Sequence, residues 1–199
     1  MNGRRRTRDH FAKKAKKEHF PARSVYKLQE IDQKTNIVRR NDTLVDLGAA
    51  PGSWTLYAAD KVGPNGLVIA VDKQPLTVGT ANQVLFLQED VMEMEISALE
   101  DILSGDRRVD AVLSDMAPHT SGHRFVDQSR SFNLFSRALD IADRLVRHGG
   151  RFAAKIFQGE DFELARSNVA ALFTTVKIIR PKSVRQESYE IYLVGLNRK

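Results

Sequence analysis

The chain has 199 residues, of which 42% are hydrophobic, so it is long enough to bury the core of one domain. Lysine and arginine outnumber aspartate and glutamate by 31 to 25, and this net charge of +6 indicates an anionic partner. The absence of cysteine excludes disulfides, thiolate metal sites and a cysteine nucleophile, and because only His119 and His123 lie close together we expect no metal site.

The first twenty residues, MNGRRRTRDHFAKKAKKEHF, hold eight basic and two acidic residues, an excess equal to the net charge of the whole chain. Their basic residues are Arg4, Arg5, Arg6, Arg8, Lys13, Lys14, Lys16 and Lys17. We expect residues 1–20 to form a flexible arm that binds phosphate groups, with a solubilising tail as the alternative. The arm lacks the apolar run of a secretory signal, and no segment of the sequence approaches the length of a membrane span, which predicts a cytoplasmic protein without a membrane partner.

The remaining sequence alternates between helical and extended patterns. Helices are predicted at 22–37, 54–62, 133–146 and 162–172, and strands at 43–47, 67–71, 84–87, 110–113, 151–157, 176–179 and 189–196. Such alternation predicts an α/β fold with a mostly parallel sheet and helices on both faces, and the last two strands form an antiparallel hairpin at its edge. Residues 119–130 are predicted to be a polar loop.

Acidic residues follow three of the predicted strands. Asp72 ends the second strand, and Asp90 and Asp115 come just after the third and fourth. The carboxyl ends of parallel strands meet at one edge of the sheet, where ligands bind. We therefore expect the three carboxylates to line one crevice.

A loop of small residues joins the first strand to the next helix within the segment VDLGAAPGSW. The candidate cofactor-binding residues in it are Gly48, Ala49, Ala50, Pro51, Gly52, Ser53 and Trp54. Small residues admit a ligand close to the backbone, and the amides at a helix start can bind a carboxylate. Asp72 is then placed to accept hydrogen bonds from a ribose, and Asp90 to contact an adenine. A tight turn with two solvated acids is the alternative, whereas Ala50 in place of a second glycine disfavours a nicotinamide dehydrogenase.

Four segments together resemble the RrmJ/FtsJ family of ribosomal RNA 2′-O-methyltransferases. They are DLGAAPGSW, SDMAP, the lysine of GGRFAAKIF, and SYEIYLVG, and the resemblance extends from about residue 23 to the end. It implies a Rossmann-like fold that binds S-adenosylmethionine, with the catalytic residues Lys27, Asp115, Lys155 and Glu190. Asp115 is also implied to contact the cofactor. Ser53 stands where many members have glycine, and we expect it to cap the following helix.

The residues alone support these roles unequally. A lysine inside the apolar strand that holds Lys155 is costly unless it finds a partner. A lysine on a helix, such as Lys27, is usually a surface residue, and an exposed sheet face would explain Glu190 equally well. Trp54 could be a core aromatic. The sequence leaves open whether Lys155 is a neutral base or an ammonium ion that positions the hydroxyl.

The resemblance further implies the substrate, a uridine ribose in large-subunit ribosomal RNA. Residues 1–20 would then be an RNA-binding arm and residues 21–199 a single methyltransferase domain, acting as a monomer. Two alternatives remain: the same reaction on transfer RNA, and a non-catalytic RNA-binding factor of ribosome assembly. A small-molecule methyltransferase would not need the basic arm.

Overall fold

The computed structural model describes residues 3–79, 81–103, 108–185 and 187–199, with side chains from residue 10 onward. Its helices are α1 (Gly3–Lys17), α2 (Val25–Thr35), α3 (Ser53–Val62), α4 (Ser97–Ile102), α5 (Arg124–Leu145) and α6 (Phe162–Leu172). Its strands are β1 (Thr43–Leu47), β2 (Leu67–Val71), β3 (Val84–Leu87), β4 (Val109–Ser114), β5 (Val146–Phe157), β6 (Phe173–Ile179) and β7 (Glu190–Arg198).

These strands form one sheet in the order β3-β2-β1-β4-β5-β7-β6. Strands β1 to β5 are parallel, and β7 pairs antiparallel with both β5 and β6. The predicted α/β class, the mostly parallel sheet and its antiparallel edge hairpin are confirmed. Since the chain order reverses beside β1, the carboxyl ends of β1, β2 and β4 open onto the crevice between them.

Helices cover both faces of the sheet. Phe135, Phe152 and Phe173 lie in a core between the sheet and α4, α5 and α6, whereas Leu28 and Tyr192 lie in a core beneath α2 and α3. Burying a side chain of this size contributes about 2 kcal/mol to stability. Successive residues of a strand point to opposite faces, so β5 directs Phe152 to one core and Ala153 to the other.

The N-terminal arm is helical, which corrects our expectation that it is flexible. Ala15 is buried, and Phe11 and Phe20 pack with it against Val25 and Tyr26 of α2. The Tyr26 hydroxyl also donates a 2.9 Å hydrogen bond to Glu18. Lysine, arginine and alanine have high helix propensity, and these contacts fix one face of the helix. The side chains of Arg4, Arg5, Arg6 and Arg8 lie outside the described residues.

The predicted loop at 119–130 is shorter than expected because α5 begins at Arg124. The Asp127 carboxylate accepts hydrogen bonds from the amide and hydroxyl of Ser121 at 2.8 and 2.9 Å and from the amide of Gly122 at 3.3 Å. These bonds lower the pKa of Asp127, which stays ionised near the positive end of the helix dipole. The sequence pattern did not predict the first turns of α5, because their exposed polar residues obscure the helical period. It also missed the short helix α4.

Among the described residues, none of the helices is both long enough and apolar enough to cross a membrane.

Candidate active site

The loop after β1 makes a backbone turn that requires glycine. Gly48 has φ of 75° and Gly52 has φ of 112°, values that side-chain-bearing residues rarely adopt. A Cβ atom at Gly48 would lie 2.7 Å from Cγ of Met116, and one at Gly52 would lie 2.5 Å from Cγ2 of Val78. The loop is therefore held between the segment after β4 and the segment after β2.

Asp72 fastens this loop to β2. One carboxylate oxygen accepts a 3.0 Å hydrogen bond from the amide of Ala50, and the other accepts a 2.8 Å bond from the amide of Gln74. Each carboxylate oxygen has a second lone pair, so the partly exposed group can still receive ribose hydroxyls. Asp90 lies one strand further, 3.6 Å from the Lys73 ammonium group, with its other oxygen bound to the Met92 amide.

Asp46 is a polar residue that the sequence analysis missed. It is fully buried within β1, and Oδ2 accepts a 2.7 Å hydrogen bond from the hydroxyl of Thr55, while Oδ1 has no partner among the described residues. Burial raises the pKa of Asp46 to about 7; the bond from Thr55 opposes this rise, and the nearby Asp115 and Asp72 add to it. The apolar neighbours Val45 and Leu47 made Asp46 read as an ordinary strand position.

Two lysines and two carboxylates come together at the carboxyl end of β5. Lys155 Nζ lies 2.7 Å from Asp115 Oδ1 and also donates a 2.6 Å hydrogen bond to the Asp115 carbonyl. Lys27 Nζ lies 2.7 Å from Glu190 Oε1 and 3.7 Å from Asp115 Oδ1. The side chain of Lys155 is only 4% exposed. All four residues that the resemblance implied as catalytic thus form one cluster.

The register of the sheet explains this cluster. Lys155 pairs with Tyr192, and Phe157 pairs with Glu190, so Lys155 and Glu190 lie on the same face of neighbouring strands. Asp115 follows β4 on the other side of β5. Lys27 reaches the cluster from the first turn of α2.

A buried ion pair helps fix α2 relative to β5. Arg151 of β5 lies 2.9 Å from Asp42 and donates a 2.9 Å hydrogen bond to the carbonyl of Ile37, in the segment after α2. Since Arg151 and Lys155 belong to the same strand, this pair ties the element that holds Lys27 to the one that holds Lys155.

The cluster keeps Asp115 ionised. Burial alone would raise the pKa of Asp115, but Lys155 and Lys27 together with hydrogen bonds from Lys155 and Tyr192 hold it below its usual value. The Tyr192 hydroxyl donates a 2.5 Å bond to Asp115 Oδ1, and burial and the adjacent carboxylates raise the pKa of this tyrosine well above its usual range. Tyr192 is therefore a neutral donor that orients Asp115. Its position two residues after Glu190 was the signal that sequence reasoning overlooked.

Ser53 and Trp54 lie beneath the cofactor loop with protein partners. We expected Ser53 to cap α3, and this was wrong: Gly52 occupies the cap position, and the Ser53 hydroxyl exchanges two hydrogen bonds with the backbone of Ala22. Trp54 is 2% exposed, donates its ring N–H to the Ser24 carbonyl and packs on Tyr192. The side chains of both residues thus have protein partners, and contact of these residues with a cofactor stays a prediction.

Comparison with known sequences gives consistent results. A family model described as FtsJ-like methyltransferase matches residues 20–198. A protein from Desulfosudis oleivorans named ribosomal RNA large subunit methyltransferase E is 45% identical over 98% of this chain and 93% of its own length. A protein of the same name from Oleidesulfovibrio alaskensis is 48% identical over 96% of this chain and 92% of its own length.

Solved structures share the fold. A ribosomal RNA methyltransferase from Plasmodium falciparum superposes with a TM-score of 0.77 at 27% identity, covering 90% of this chain and 98% of its own. Fibrillarin from Aeropyrum pernix, solved with bound S-adenosylmethionine, superposes with a TM-score of 0.56 at 14% identity, covering 80% of this chain and 68% of its own. The second comparison supports the fold alone.

Proposed function

The chain belongs to the FtsJ-like methyltransferase family, and from this we propose that it transfers the methyl group of S-adenosylmethionine to the 2′-hydroxyl of a uridine in large-subunit ribosomal RNA. The observation that carries the proposal is the buried cluster of Lys155, Asp115, Lys27 and Glu190 beside a small-residue loop. The substrate follows from the name borne by the relatives that align along nearly the whole chain.

The residues at the crevice fit S-adenosylmethionine. The loop at Gly48 to Gly52 and the start of α3 suit its carboxylate, and Asp72 and Asp90 suit its ribose and adenine. The carboxylates of Asp72 and Asp115 lie close enough to Asp46 to raise its pKa, and the Asp46 oxygen that has no partner among the described residues adds an acceptor beneath the loop. A cofactor with both an ammonium and a sulfonium charge would relieve this concentration of acid.

The bound cofactor supplies an electrophilic methyl group, and the protein must align the ribose oxygen behind it. Orientation of two reactants accounts for about 7 to 11 kcal/mol of a barrier of this kind. Ionised Asp115 fixes Lys155 through both its carboxylate and its carbonyl, so Lys155 acts as a charged donor that holds the 2′-oxygen in line. As the oxygen–methyl bond forms and the methyl–sulfur bond breaks, the hydroxyl proton passes to water, and the ammonium group stabilises the negative charge that loss of this proton places on the oxygen. Of the two roles left open by the sequence, this geometry favours the positioning ammonium ion.

Lys27 and Glu190 form the second pair of the cluster. Their 2.7 Å contact lies on the α2 side of Lys155, and both side chains remain slightly exposed. We assign them to the ribose and the adjoining phosphate of the substrate. Because ribosomal RNA is the proposed substrate, we place the enzyme in the cytoplasm; the monomeric state stays a prediction.

The test compares wild-type protein, Lys155→Ala and the control Lys177→Ala, which removes an exposed lysine from β6. Each is incubated with radiolabelled S-adenosylmethionine and with large ribosomal subunits or transfer RNA from a strain lacking the gene. A 2′-O-methyl group blocks alkaline cleavage at one linkage, which locates the label. We expect Lys155→Ala to lower the rate by at least about 100-fold while cofactor affinity, measured by calorimetry, is retained.

The outcomes separate the alternatives. Lysine-dependent label on the large subunit alone supports the proposal, whereas label on transfer RNA would keep the reaction and change the substrate. Cofactor binding without label on either RNA would favour the non-catalytic assembly factor.

A further inference from the structure

Two aromatic residues near the catalytic cluster are exposed to solvent, although large apolar side chains are usually buried. Phe125 is 68% exposed and Tyr189 is 46% exposed. Arg124 precedes Phe125 at the start of α5, and its guanidinium carbon is 4.3 Å from the centre of the Tyr189 ring. We call Arg124, Phe125 and Tyr189 the stacking shelf.

The shelf borders an open cleft of about 720 Å³. Its walls are Arg124, Phe125, Gln128, Gln158, Gly159 and Glu160. The side-chain amide of Gln128 donates a 2.6 Å hydrogen bond to the Gln158 carbonyl, and a Cβ atom at Gly159 would lie 2.6 Å from Cδ of Gln128. The side chain of Gln128 is therefore held against Gln158 and Gly159, and it forms a well-packed floor of the cleft.

The shelf is close to the proposed reaction centre. Tyr189 immediately precedes Glu190, and its carbonyl accepts a 2.9 Å hydrogen bond from the amide of Gln158. Gln158 is three residues beyond Lys155, a distance of about 10 Å along an extended chain. A nucleotide next to the one held at Lys155 can reach this position.

The chemistry of the cleft suits a base better than a phosphate. One guanidinium and one carboxylate, from Arg124 and Glu160, nearly balance its charge, and the amides of Gln128 and Gln158 are neutral. A phosphate site would carry an excess of positive charge. Exposed aromatic rings and an arginine plane are the groups on which unpaired bases of single-stranded RNA stack.

We propose that Phe125, Tyr189 and the Arg124 guanidinium that lies over the Tyr189 ring form a surface on which an unpaired base next to the methylated nucleotide stacks. The inference rests on the proposed function, because it places the RNA relative to Lys155. The shelf thus positions the ribose by holding its neighbour, and it makes no contact with the reacting atoms.

The test measures kcat and KM for the large ribosomal subunit with Phe125→Ala, Tyr189→Ala, Tyr189→Phe and the control Ile178→Ala, which removes an equally exposed apolar side chain from β6. We expect each of the first two variants to lower kcat/KM about tenfold, because a stacked base loses its partner. Tyr189→Phe, which keeps a ring, and Ile178→Ala should stay within twofold of wild type, and cofactor affinity should not change.

A direct binding measurement separates the inference from the function it rests on. Fluorescence anisotropy of a labelled oligouridylate needs no methyl transfer, and we expect Phe125→Ala and Tyr189→Ala to weaken its binding. A wild-type enzyme that methylates no RNA would contradict the proposed function. Undiminished kcat/KM and undiminished oligouridylate binding in both alanine variants would overturn the stacking shelf alone.

Discussion

Tyr192 helps to keep Asp115 ionised and oriented, although it takes no direct part in the proposed reaction. Its hydroxyl donates to Asp115, which is also held by Lys155 and Lys27. Replacing Tyr192 with phenylalanine removes one bond to a charged acceptor, which costs about 2 kcal/mol. We expect Tyr192→Phe to unfold at lower urea concentration at pH 7 and to have a lower kcat.

The sign of the pH dependence follows from the pKa of Asp115. Its pKa lies below the usual value, so its contribution to stability is present at neutral pH and is lost as the pH falls through the folded pKa. The difference between wild type and Tyr192→Phe should therefore persist from pH 7 to about pH 4 and shrink as the pH falls below that value. Tyr57→Phe is the control, since Tyr57 donates a 2.7 Å bond to Asp32 away from the cluster. It should lose stability but keep kcat, and an equal kcat loss in both variants would refute a specific role for Tyr192.

The raised pKa of Asp46 predicts a pH dependence of stability opposite to that of Asp115. Its pKa is raised from 3.8 to about 7, so the unfolded chain releases this proton at lower pH than the folded protein does. The contribution of Asp46 to the free energy of unfolding is therefore fully present below about pH 4, and it is lost as the pH rises through about 7. The loss amounts to as much as about 4 kcal/mol, since one pKa unit corresponds to about 1.4 kcal/mol.

The test is Asp46→Asn, which keeps an oxygen for the Thr55 hydroxyl but cannot ionise. We expect its urea midpoint to rise relative to wild type between pH 5 and pH 8, because only the wild type bears the cost of a buried charge. Comparing the two proteins cancels groups that titrate in both. Parallel midpoints across this range would show that Asp46 has an ordinary pKa.

At the scale of elements, the loop after β1 depends on its glycine conformation. Gly48→Ala would force φ of 75° on alanine and bring its Cβ to 2.7 Å from Met116. We expect a stability loss of about 1 to 3 kcal/mol and weaker S-adenosylmethionine binding, measured by urea unfolding and calorimetry. Gly79→Ala is a matched control, since a Cβ there meets nothing within 4 Å. Similar effects of the two substitutions would contradict a specific requirement at Gly48.

The elements that were predictable are those whose pattern is local. Strands β1, β2 and β3 have the predicted bounds because each is an apolar run followed by glycine or a polar residue. The start of α5 was missed because its helical form depends on Asp127 binding the preceding loop. Strand β5 begins at Val146 rather than 151, since the glycines at 149 and 150 belong to the strand and do not only end the helix.

The site was predictable only as far as its residues carry a motif. Lys155 and Asp115 were found from the resemblance, and burial of the lysine in an apolar strand supported it. Asp46 and Tyr192 were not found: the spacing of Tyr192 from Glu190 placed it on the same strand face, but its bond to Asp115 and the burial of Asp46 arise from the folded sheet over long sequence separations. A single sequence does not reveal such contacts.

At the scale of the whole molecule, α1 packs against α2, the helix that holds Lys27. Ala15 anchors the helix against Val25 and Tyr26, and Tyr26 lies one residue before Lys27. Lys16 and Lys17 are exposed on this anchored helix, and we expect them to bind phosphates of the RNA. If α1 binds phosphates, anchoring reduces the entropy lost on binding, so the helix would contribute more than its charge alone.

The salt dependence of RNA binding tests this role. Each phosphate contact contributes about 0.7 to 0.9 to the slope of log affinity against log salt concentration, so Lys16→Ala with Lys17→Ala should reduce the magnitude of that slope by about 1.5. The control removes Lys34 and Lys177, two exposed lysines near the C-terminal end of α2 that change the net charge equally. Filter binding of large-subunit RNA from 50 to 300 mM salt gives both slopes. If the two double variants show the same change, net charge rather than the position of α1 determines affinity, and the RNA-binding arm would have to be abandoned.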